Sequence, residues 1–179
     1  WLSVVKLYHS AGGIVVDIKG KKAIVFGGTS GIGLATCKEL RARGANVVAV
    51  SREPHKAGTS TDGIRLAGVD ARDTEAVSAF FEREGKIDIL ISSATGGSRA
   101  FGPFLEMDID GFKGSFDKLW GYSNVVRYGT AKLTDDGCIV LVSGTPARKM
   151  KPGQVALSAV GGAVEALARA IAAEIVPKR

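Results

Sequence analysis

Cysteine is scarce in this sequence, since Cys37 and Cys138 are the only two among 179 residues. The first lies in a segment of helical period and the second in a strand-like apolar run. We therefore expect two buried, reduced thiols of a cytoplasmic protein, with no disulfide and no metal site. Long apolar runs are also lacking: we find none that we expect to span a bilayer, and we predict no membrane contact.

Clusters of positive charge are lacking as well. The net charge is +6, but no run of basic residues is longer than two or three, and no aromatic residues are interleaved with a basic stripe. We therefore predict no nucleic-acid binding, whereas a mild basic excess suits a phosphate-bearing cofactor. A hydrophobic fraction of 45% in a chain of this length is typical of a single globular α/β domain.

Apolar, strand-like runs alternate with segments of helical period along the chain, which predicts a parallel sheet wound on both faces in three α/β/α layers. The predicted strands cover 23–27, 46–51, 64–69, 87–92 and 138–143. The first predicted helix ends at Arg43, and the second begins after a cap at Asp73 and ends before Gly85. The other two predicted helices cover 109–132 and 154–175. We interpret residues 1–18 as an N-terminal extension and residues 19–179 as one domain.

A glycine-rich turn, Gly27-Gly28-Thr29-Ser30-Gly31-Ile32-Gly33, joins the first predicted strand to the first predicted helix. Glycine lets the backbone turn sharply and approach a ligand, because no Cβ is in the way. The first N–H groups of a helix have no partner within it and carry the positive end of its dipole, so a phosphate can supply the missing acceptor. We interpret the turn as a dinucleotide phosphate cradle rather than as a glycine turn without a ligand.

The spacing G-x-x-x-G-x-G resembles that of the short-chain dehydrogenase/reductase (SDR) family, which usually has Thr where this chain has Phe26. Asp70 matches the family's adenine-binding Asp, and segments 88–94, 137–143 and 166–175 match further family motifs in the right order. In the first of these segments, two serines replace the family's two Asn. The resemblance covers roughly residues 18–177 and implies a Rossmann-like sheet. The family's usual C-terminal part is expected to be missing, because SDR chains continue where this one stops.

The resemblance and the glycine turn together imply a set of cofactor-binding residues. They are Gly27, Thr29, Ser30, Gly31, Ile32, Ser51, Arg52, Asp70, Ala71, Ser93 and Ala94. Ser51 and Arg52 end the second predicted strand, which faces the adenine ribose. A small polar residue followed by Arg suits a 2′-phosphate, whereas an acid would repel it. We therefore predict NADP(H) in preference to NAD(H), with an exposed loop charge as the alternative interpretation of Arg52.

The SDR family uses a Tyr, a Lys one helical turn later and a Ser for proton transfer and carbonyl polarisation. Counting back from Glu174 puts the Tyr position at Leu157 and the Lys position at Gly161, and the Ser position falls on Gly144. Ser143 is our candidate for the Ser. Ser143 can take this role only if the strand end twists or bulges, because a side chain one residue away along a strand points to the other face of the sheet. Thr145 is a comparable candidate.

Lys118 occupies the place of the family's active-site Asn, four residues before Tyr122 on the same helix face. It is a candidate for stabilising an oxyanion or relaying protons, and the alternative is a lysine that snorkels from a helix to solvent. Tyr128 and Lys132 fit the Tyr-x-x-x-Lys pattern. We expect them at the opposite edge of the sheet from the cofactor, and therefore not to be catalytic.

Consecutive glycines, Gly161 and Gly162, lie inside the last predicted helix, where each costs about 1 kcal/mol relative to alanine. We expect a close neighbour there and predict a homodimer or homotetramer through the two long helices, as the resemblance implies. The alternative is local room for substrate. The predicted function is hydride transfer between NADP(H) and a small-molecule carbonyl or alcohol. The alternative is a catalytically impaired NADP(H)-binding protein that acts as a sensor or partner subunit.

Overall fold

The computed structural model describes residues 4–7, 17–57, 61–95 and 97–175. The strands within them are β1 (Val4–Leu7), β2 (Lys22–Phe26), β3 (Asn46–Ser51), β4 (Arg65–Gly68), β5 (Ile87–Ser92) and β6 (Leu133–Val142). The helices are α1 (Gly31–Ala42), α2 (Thr74–Glu84), α3 (Ile109–Ser115), α4 (Asp117–Thr130) and α5 (Val155–Ile175). The described strands form one sheet in the order β1-β6-β5-β2-β3-β4.

Strands β2 to β6 are parallel, and α-helices connect them except between β3 and β4, so the predicted doubly wound α/β fold is confirmed. The chain order reverses between β2 and β5, which is the point where ligands bind in open parallel sheets. β3 and β5 have the predicted limits, because strands buried on both faces are predominantly apolar.

Strand β1 was not predicted. It pairs antiparallel with β6, with Val4 opposite Val142 and Leu7 opposite Ile139. Part of the segment that we interpreted as an N-terminal extension therefore extends the sheet at its edge. Residues 1–3 and 8–16 of that segment lie outside the described part of the chain, and the domain boundary after residue 18 stays a prediction.

The two faces of the sheet carry different helices. On one face, α2, α4 and α5 cover a core in which the rings of Phe26, Phe80 and Phe81 lie 5.4–5.8 Å apart. On the other face, α1 buries Cys37 against the strands, and burial raises the pKa of this thiol to about 12. Cys138 is only partly buried, so the expectation of two buried thiols is correct for Cys37 alone.

The long helix predicted over 109–132 is instead two helices, α3 and α4, with a break at Phe116. The hydroxyl of Ser115 donates to the carbonyl of Gly111 and accepts from the amide of Ala100, both at 2.9 Å. A serine that bonds back to the preceding turn often bends a helix, and here it also holds a loop. The next strand, β6, begins five residues before its predicted start at 138.

Helix α5 corrects our expectation about apolar runs. The helix has 21 residues and contains a stretch of mean hydropathy 1.5, so by length and composition it is long and apolar enough to cross a membrane. This is weak evidence, because the core helix of a folded domain passes the same test. Val160, Val164 and Ala168 recur every four residues and are buried on the sheet side, so this face of α5 packs in the core of the domain.

Candidate functional site

The glycine turn after β2 is held close to two neighbouring strands. The amides of Gly27 and Gly28 both donate to the carbonyl of Val50, at 2.8 and 3.3 Å. Gly27 has a φ of +77°, and a Cβ on it would lie 2.6 Å from the amide nitrogen of Ala94. Only glycine fits this backbone conformation in this space.

Gly33 lets helix α1 approach the turn. A Cβ on this residue would collide with the carbonyl oxygen of Gly27 and lie 2.5 Å from the hydroxyl of Ser93. That hydroxyl donates to the carbonyl of Phe26 at 3.0 Å, which ties the end of β5 to the turn. The helix start is therefore fixed at the carboxyl edge of the sheet.

The start of α1 is open towards solvent. Ser30 precedes the helix in an extended conformation, its side chain makes no capping hydrogen bond, and the first turn has no acidic residue. A Cβ on Gly31 would meet nothing within 4 Å. The first amides of α1 therefore have no capping side chain, and they lie at the positive end of the helix dipole, as an anion site requires.

A cleft of about 380 Å³ lies in front of this turn, between the carboxyl ends of β2 to β5 and the start of α4. Of the predicted cofactor residues, those that line it are Gly27, Thr29, Ser30, Ser51, Arg52, Asp70, Ala71 and Ala94. Gly31 and Ile32 begin α1 beside it, and Ser93 holds the turn from below. The fold thus collects residues from four separate segments, and their roles in binding stay predictions.

Ser51 and Arg52 lie at the end of β3 in the wall of the cleft. The hydroxyl oxygen of Ser51 is buried and has no hydrogen-bond partner in the described structure. Arg52 is exposed. An orphaned buried hydroxyl is costly unless another group satisfies it.

Asp70 is held by Arg72, a residue that the sequence analysis missed. The Arg72 guanidinium donates to both carboxylate oxygens of Asp70, at 3.1 and 2.8 Å, and to Asp117 at 2.7 Å. The hydrogen bonds from Arg72 hold the pKa of Asp70 below its usual value. Arg72 thus bridges the end of β4 and the first turn of α4. The signal in the sequence that could have identified Arg72 is its position two residues after Asp70, the predicted adenine ligand.

Lys118 also lines the cleft, on the first turn of α4. Burial and the nearby charge of Arg99 lower the pKa of Lys118 to about 8. Its Nζ lies 5.2 Å from the ring centroid of Tyr122, whose hydroxyl donates to the carbonyl of Val142 at 3.0 Å. Lys118 is therefore a partly buried cation inside the cleft, not a lysine that extends freely into solvent.

Ser143 lies outside the wall of the cleft. It is buried after β6, and its hydroxyl donates to the carbonyl of Gly161 on α5 at 3.1 Å. Thr145 begins a short 3₁₀ turn, Thr145–Ala147, which is packed against α5. The hydroxyl of Ser143 would reach a substrate only by giving up its bond to Gly161, so its catalytic role stays a prediction that the geometry does not favour.

The second Tyr-x-x-x-Lys pattern lies where we expected it. The carbonyl of Lys132 accepts from the amide of Ile87, the first residue of β5, at 3.0 Å. The Nζ of Lys132 pairs with Glu82 at 2.6 Å. Tyr128 and Lys132 are therefore at the amino edge of the sheet, away from the cleft.

Comparison with known proteins decides the family. A family model described as short chain dehydrogenase matches residues 21–179. The chain belongs to the short chain dehydrogenase family. This SDR chain is 29% identical over 171 residues to L-xylulose reductase of Mesocricetus auratus and 30% identical over 171 residues to carbonyl reductase [NADPH] 2 of Sus scrofa. Both alignments cover 92% of this chain and 69% of the relative.

Solved SDR structures have the same fold. A short chain dehydrogenase from Burkholderia cenocepacia J2315 in complex with NADP has a TM-score of 0.82 and 26% identity, over 92% of this chain and 70% of that one. A small-chain dehydrogenase in complex with NADPH has a TM-score of 0.72 and 27% identity, over 89% of this chain and 67% of that one. The chain is therefore a member of a family of nicotinamide-dependent oxidoreductases.

Proposed function

We propose that the protein is an NADP(H)-dependent oxidoreductase that transfers a hydride between the nicotinamide and a small-molecule carbonyl or alcohol. The observation that carries this proposal is the presence of Lys118 in the same cleft as the open start of α1. The open start of α1 suits a diphosphate, and Lys118 suits a carbonyl oxygen. The names of the relatives, a carbonyl reductase and a xylulose reductase, support this class of substrate.

The described residues fit a dinucleotide. Gly31 leaves the space in front of α1 open, and the amides there are suited to the two phosphates. Ser51 supplies an unsatisfied hydroxyl at the ribose end of the cleft. Asp70 and Ala71, after β4, are suited to the adenine edge.

Arg52 supports the preference for NADP(H). It is exposed at the ribose end of the cleft, and a guanidinium can bind a phosphate with two parallel hydrogen bonds. The residue before it is Ser51, which does not repel a 2′-phosphate as an acid would. The NADP and NADPH complexes among the structural relatives agree with this choice.

Lys118 is our candidate for the proton donor. A bound nicotinamide supplies the hydride for reduction and accepts it in the reverse direction. The ammonium group of Lys118 donates a hydrogen bond to the carbonyl oxygen, and its proton moves to that oxygen as negative charge develops there. Because its pKa is about 8, the same side chain can take the proton back from an alcohol near neutral pH. Solvent restores its protonation state.

The proposal is tested by following the absorbance of NADPH with a panel of ketones and aldehydes, and by titrating the protein with NADPH and NADH. We expect NADPH to bind more tightly than NADH and to be oxidised by at least one substrate. Lys118→Met is expected to keep NADPH binding and to lose most of the turnover. Lys113→Met is the matched control, because this exposed lysine pairs with Asp110 on α3. Equal turnover in the two variants would remove Lys118 from the mechanism.

The alternative function is a sensor or partner subunit that binds NADP(H) without turnover. It is favoured only by the residues at the family's Tyr and Lys positions, Leu157 and Gly161. The same experiment separates the two functions: tight NADPH binding with no turnover on any substrate would support the sensor and contradict the reductase.

Assembly and location are further parts of the proposal. The outer face of α5 carries small exposed residues, Ala166, Ala170 and Ala173, and Trp120 on α4 is 61% exposed. Such a face suits close helix contacts, so we propose a homodimer or homotetramer in the cytoplasm. Sedimentation over a range of protein concentrations tests the assembly, and a strictly monomeric protein would contradict it.

A further inference from the structure

The loop between β4 and α2 carries an arginine that connects two sides of the cleft. Arg72 lines the cleft and also a groove beside it. Its Nε and Nη2 donate to the two carboxylate oxygens of Asp70, and its Nη1 donates to Asp117 in the first turn of α4. Because one planar guanidinium makes all three bonds, the carboxylate of Asp70 is held relative to α4 as well as to its own loop.

The backbone of this loop is fixed by separate contacts. The side-chain amide of Asn124 on α4 donates to the carbonyls of Ala71 and Arg72, at 3.1 and 3.2 Å. A Cβ on Gly121 would lie 3.2 Å from the Cβ of Ala71, so the loop and the helix are in close contact. The loop is therefore held in place without a ligand, and a preorganised group loses less freedom when a ligand binds.

Arg72 occupies most of the hydrogen-bonding capacity of Asp70. An ionised carboxylate has about four acceptor positions, two on each oxygen, and no donor. Oδ1 of Asp70 accepts from the amide of Arg72 at 3.0 Å and from its Nε at 3.1 Å, whereas Oδ2 accepts from Nη2 at 2.8 Å. Within the described parts of the chain, Oδ2 has no second donor. Asp70 therefore offers a ligand one acceptor position, on a carboxylate that lines the cleft.

We propose that Arg72 is a positioning residue for the cofactor: its forked contact orients Asp70 so that the free acceptor position on Oδ2 selects a nucleobase with an exocyclic amino group. This inference rests on the NADP(H) binding proposed above, and adenine is a base of this class. A base with a carbonyl oxygen at the same place would bring two acceptors together, and both would lack a donor. Arg72 acts through Asp70 and has no contact of its own with the base.

The experiment compares the binding of NADPH with that of its hypoxanthine analogue, in which a carbonyl oxygen replaces the amino group of the base. Calorimetric titration with each compound gives the ratio of the two Kd values. We expect wild type to bind NADPH about fivefold more tightly, and Arg72→Met to lower this ratio to about twofold or less. The ratio is the informative quantity, because the loss of one positive charge from the cleft or a small structural change weakens the binding of both compounds alike.

Two further variants separate orientation from charge and from general effects. Arg72→Lys keeps the positive charge but lacks the planar fork, so its ratio should also fall below that of wild type. Arg43→Met is the matched control, since Arg43 pairs with Glu39 at 2.6 Å at the far end of α1 and should leave the ratio unchanged. A wild-type ratio in Arg72→Met or Arg72→Lys, or an equal fall in Arg43→Met, would overturn the inference.

The same measurements separate this inference from the proposed function. If wild type binds both compounds equally but oxidises NADPH with a substrate, the inference is wrong and the reductase function stands. If Arg72→Met changes the ratio of NADPH to NADH instead, Arg72 binds the 2′-phosphate itself and the inference is also wrong. If the ratio falls as expected but no substrate is turned over, the positioning role stands and the reductase function fails. A wild type that binds neither compound would refute both.

Discussion

The hydroxyl of Ser143 donates a hydrogen bond to the backbone carbonyl of Gly161 at 3.1 Å, and both residues are buried. This contact joins the carboxyl end of β6 to α5 at the position where the family resemblance puts a lysine. A Cβ on Gly161 would lie 2.8 Å from the Cβ of Ala147. The loop after β6 therefore fills the space next to the position expected for the lysine. The departure from the family pattern thus includes the packing of this loop as well as the two replaced side chains.

Gly161→Ala is expected to destabilise the protein by up to about 2 kcal/mol. Overpacking against Ala147 costs about 1–3 kcal/mol, and the better helix propensity of alanine offsets about 1 kcal/mol of this. Gly162→Ala is the matched control, since a Cβ there meets nothing within 4 Å. This substitution should raise the free energy of unfolding by at most about 1 kcal/mol. Urea unfolding at one protein concentration measures both, and an equal gain in the two variants would disprove the close contact.

Ser143→Ala tests whether this serine is structural or catalytic. Removing the hydroxyl deletes its hydrogen bond to the carbonyl of Gly161, inside α5, which should lower the free energy of unfolding by about 1 kcal/mol. We expect kcat to stay within about twofold of wild type, because the hydroxyl is outside the cleft. Ser123→Ala is the control, since its hydroxyl bonds only back along α4, to Leu119. Loss of kcat by about a hundredfold with unchanged stability would make Ser143 catalytic.

The central fold could be predicted from the sequence because buried parallel strands and glycine turns leave local signals. β3 and β5 are predominantly apolar runs between polar or glycine-containing segments. Asp73 was expected to cap α2, and its carboxylate accepts from the amide of Ala76 at 2.9 Å. Both signals depend on residue type and spacing within a few positions.

Other features depend on contacts between distant segments and could not be predicted. β1 is a short strand whose place is decided by pairing with β6, more than a hundred residues further along the chain. The break at Phe116 depends on the bond between Ser115 and Ala100. The low pKa of Lys118 depends on burial and on Arg99, neither of which a motif records.

Arg52→Glu is expected to reverse the cofactor preference. The new carboxylate would repel a 2′-phosphate and accept from ribose hydroxyls, so the Kd for NADPH should rise about tenfold or more while that for NADH stays equal or falls. Fluorescence titration with both cofactors measures this. Arg127→Glu makes the same change of charge away from the cleft and should leave both constants unchanged. An unchanged ratio in Arg52→Glu would identify Arg52 as an exposed loop charge only.

The rate of carbonyl reduction should fall as the pH rises through about 8. Lys118 acts as a proton donor only while it is protonated, and its pKa is lowered to about 8 by burial and by Arg99. The reverse reaction, alcohol oxidation, should rise over the same range because it needs the neutral amine. A pH profile of kcat/KM with an uncharged substrate measures this. Arg99→Gln should move the midpoint upward, and a midpoint that stays in place would contradict the coupling.

Lys118→Met should make the protein more stable near neutral pH while it lowers activity. The native state holds this lysine at a pKa of about 8, against 10.5 for an unperturbed side chain, so folding opposes its charge. Between these values the unfolded state binds more protons, and the stability of wild type therefore rises with pH across this window. The advantage of the variant is complete below a pH of about 8 and shrinks as the pH rises towards 10.5. Urea unfolding at several pH values measures it, with Lys113→Met as the exposed control. A variant that is less stable than wild type near neutral pH would mean that Lys118 contributes to packing more than its charge costs.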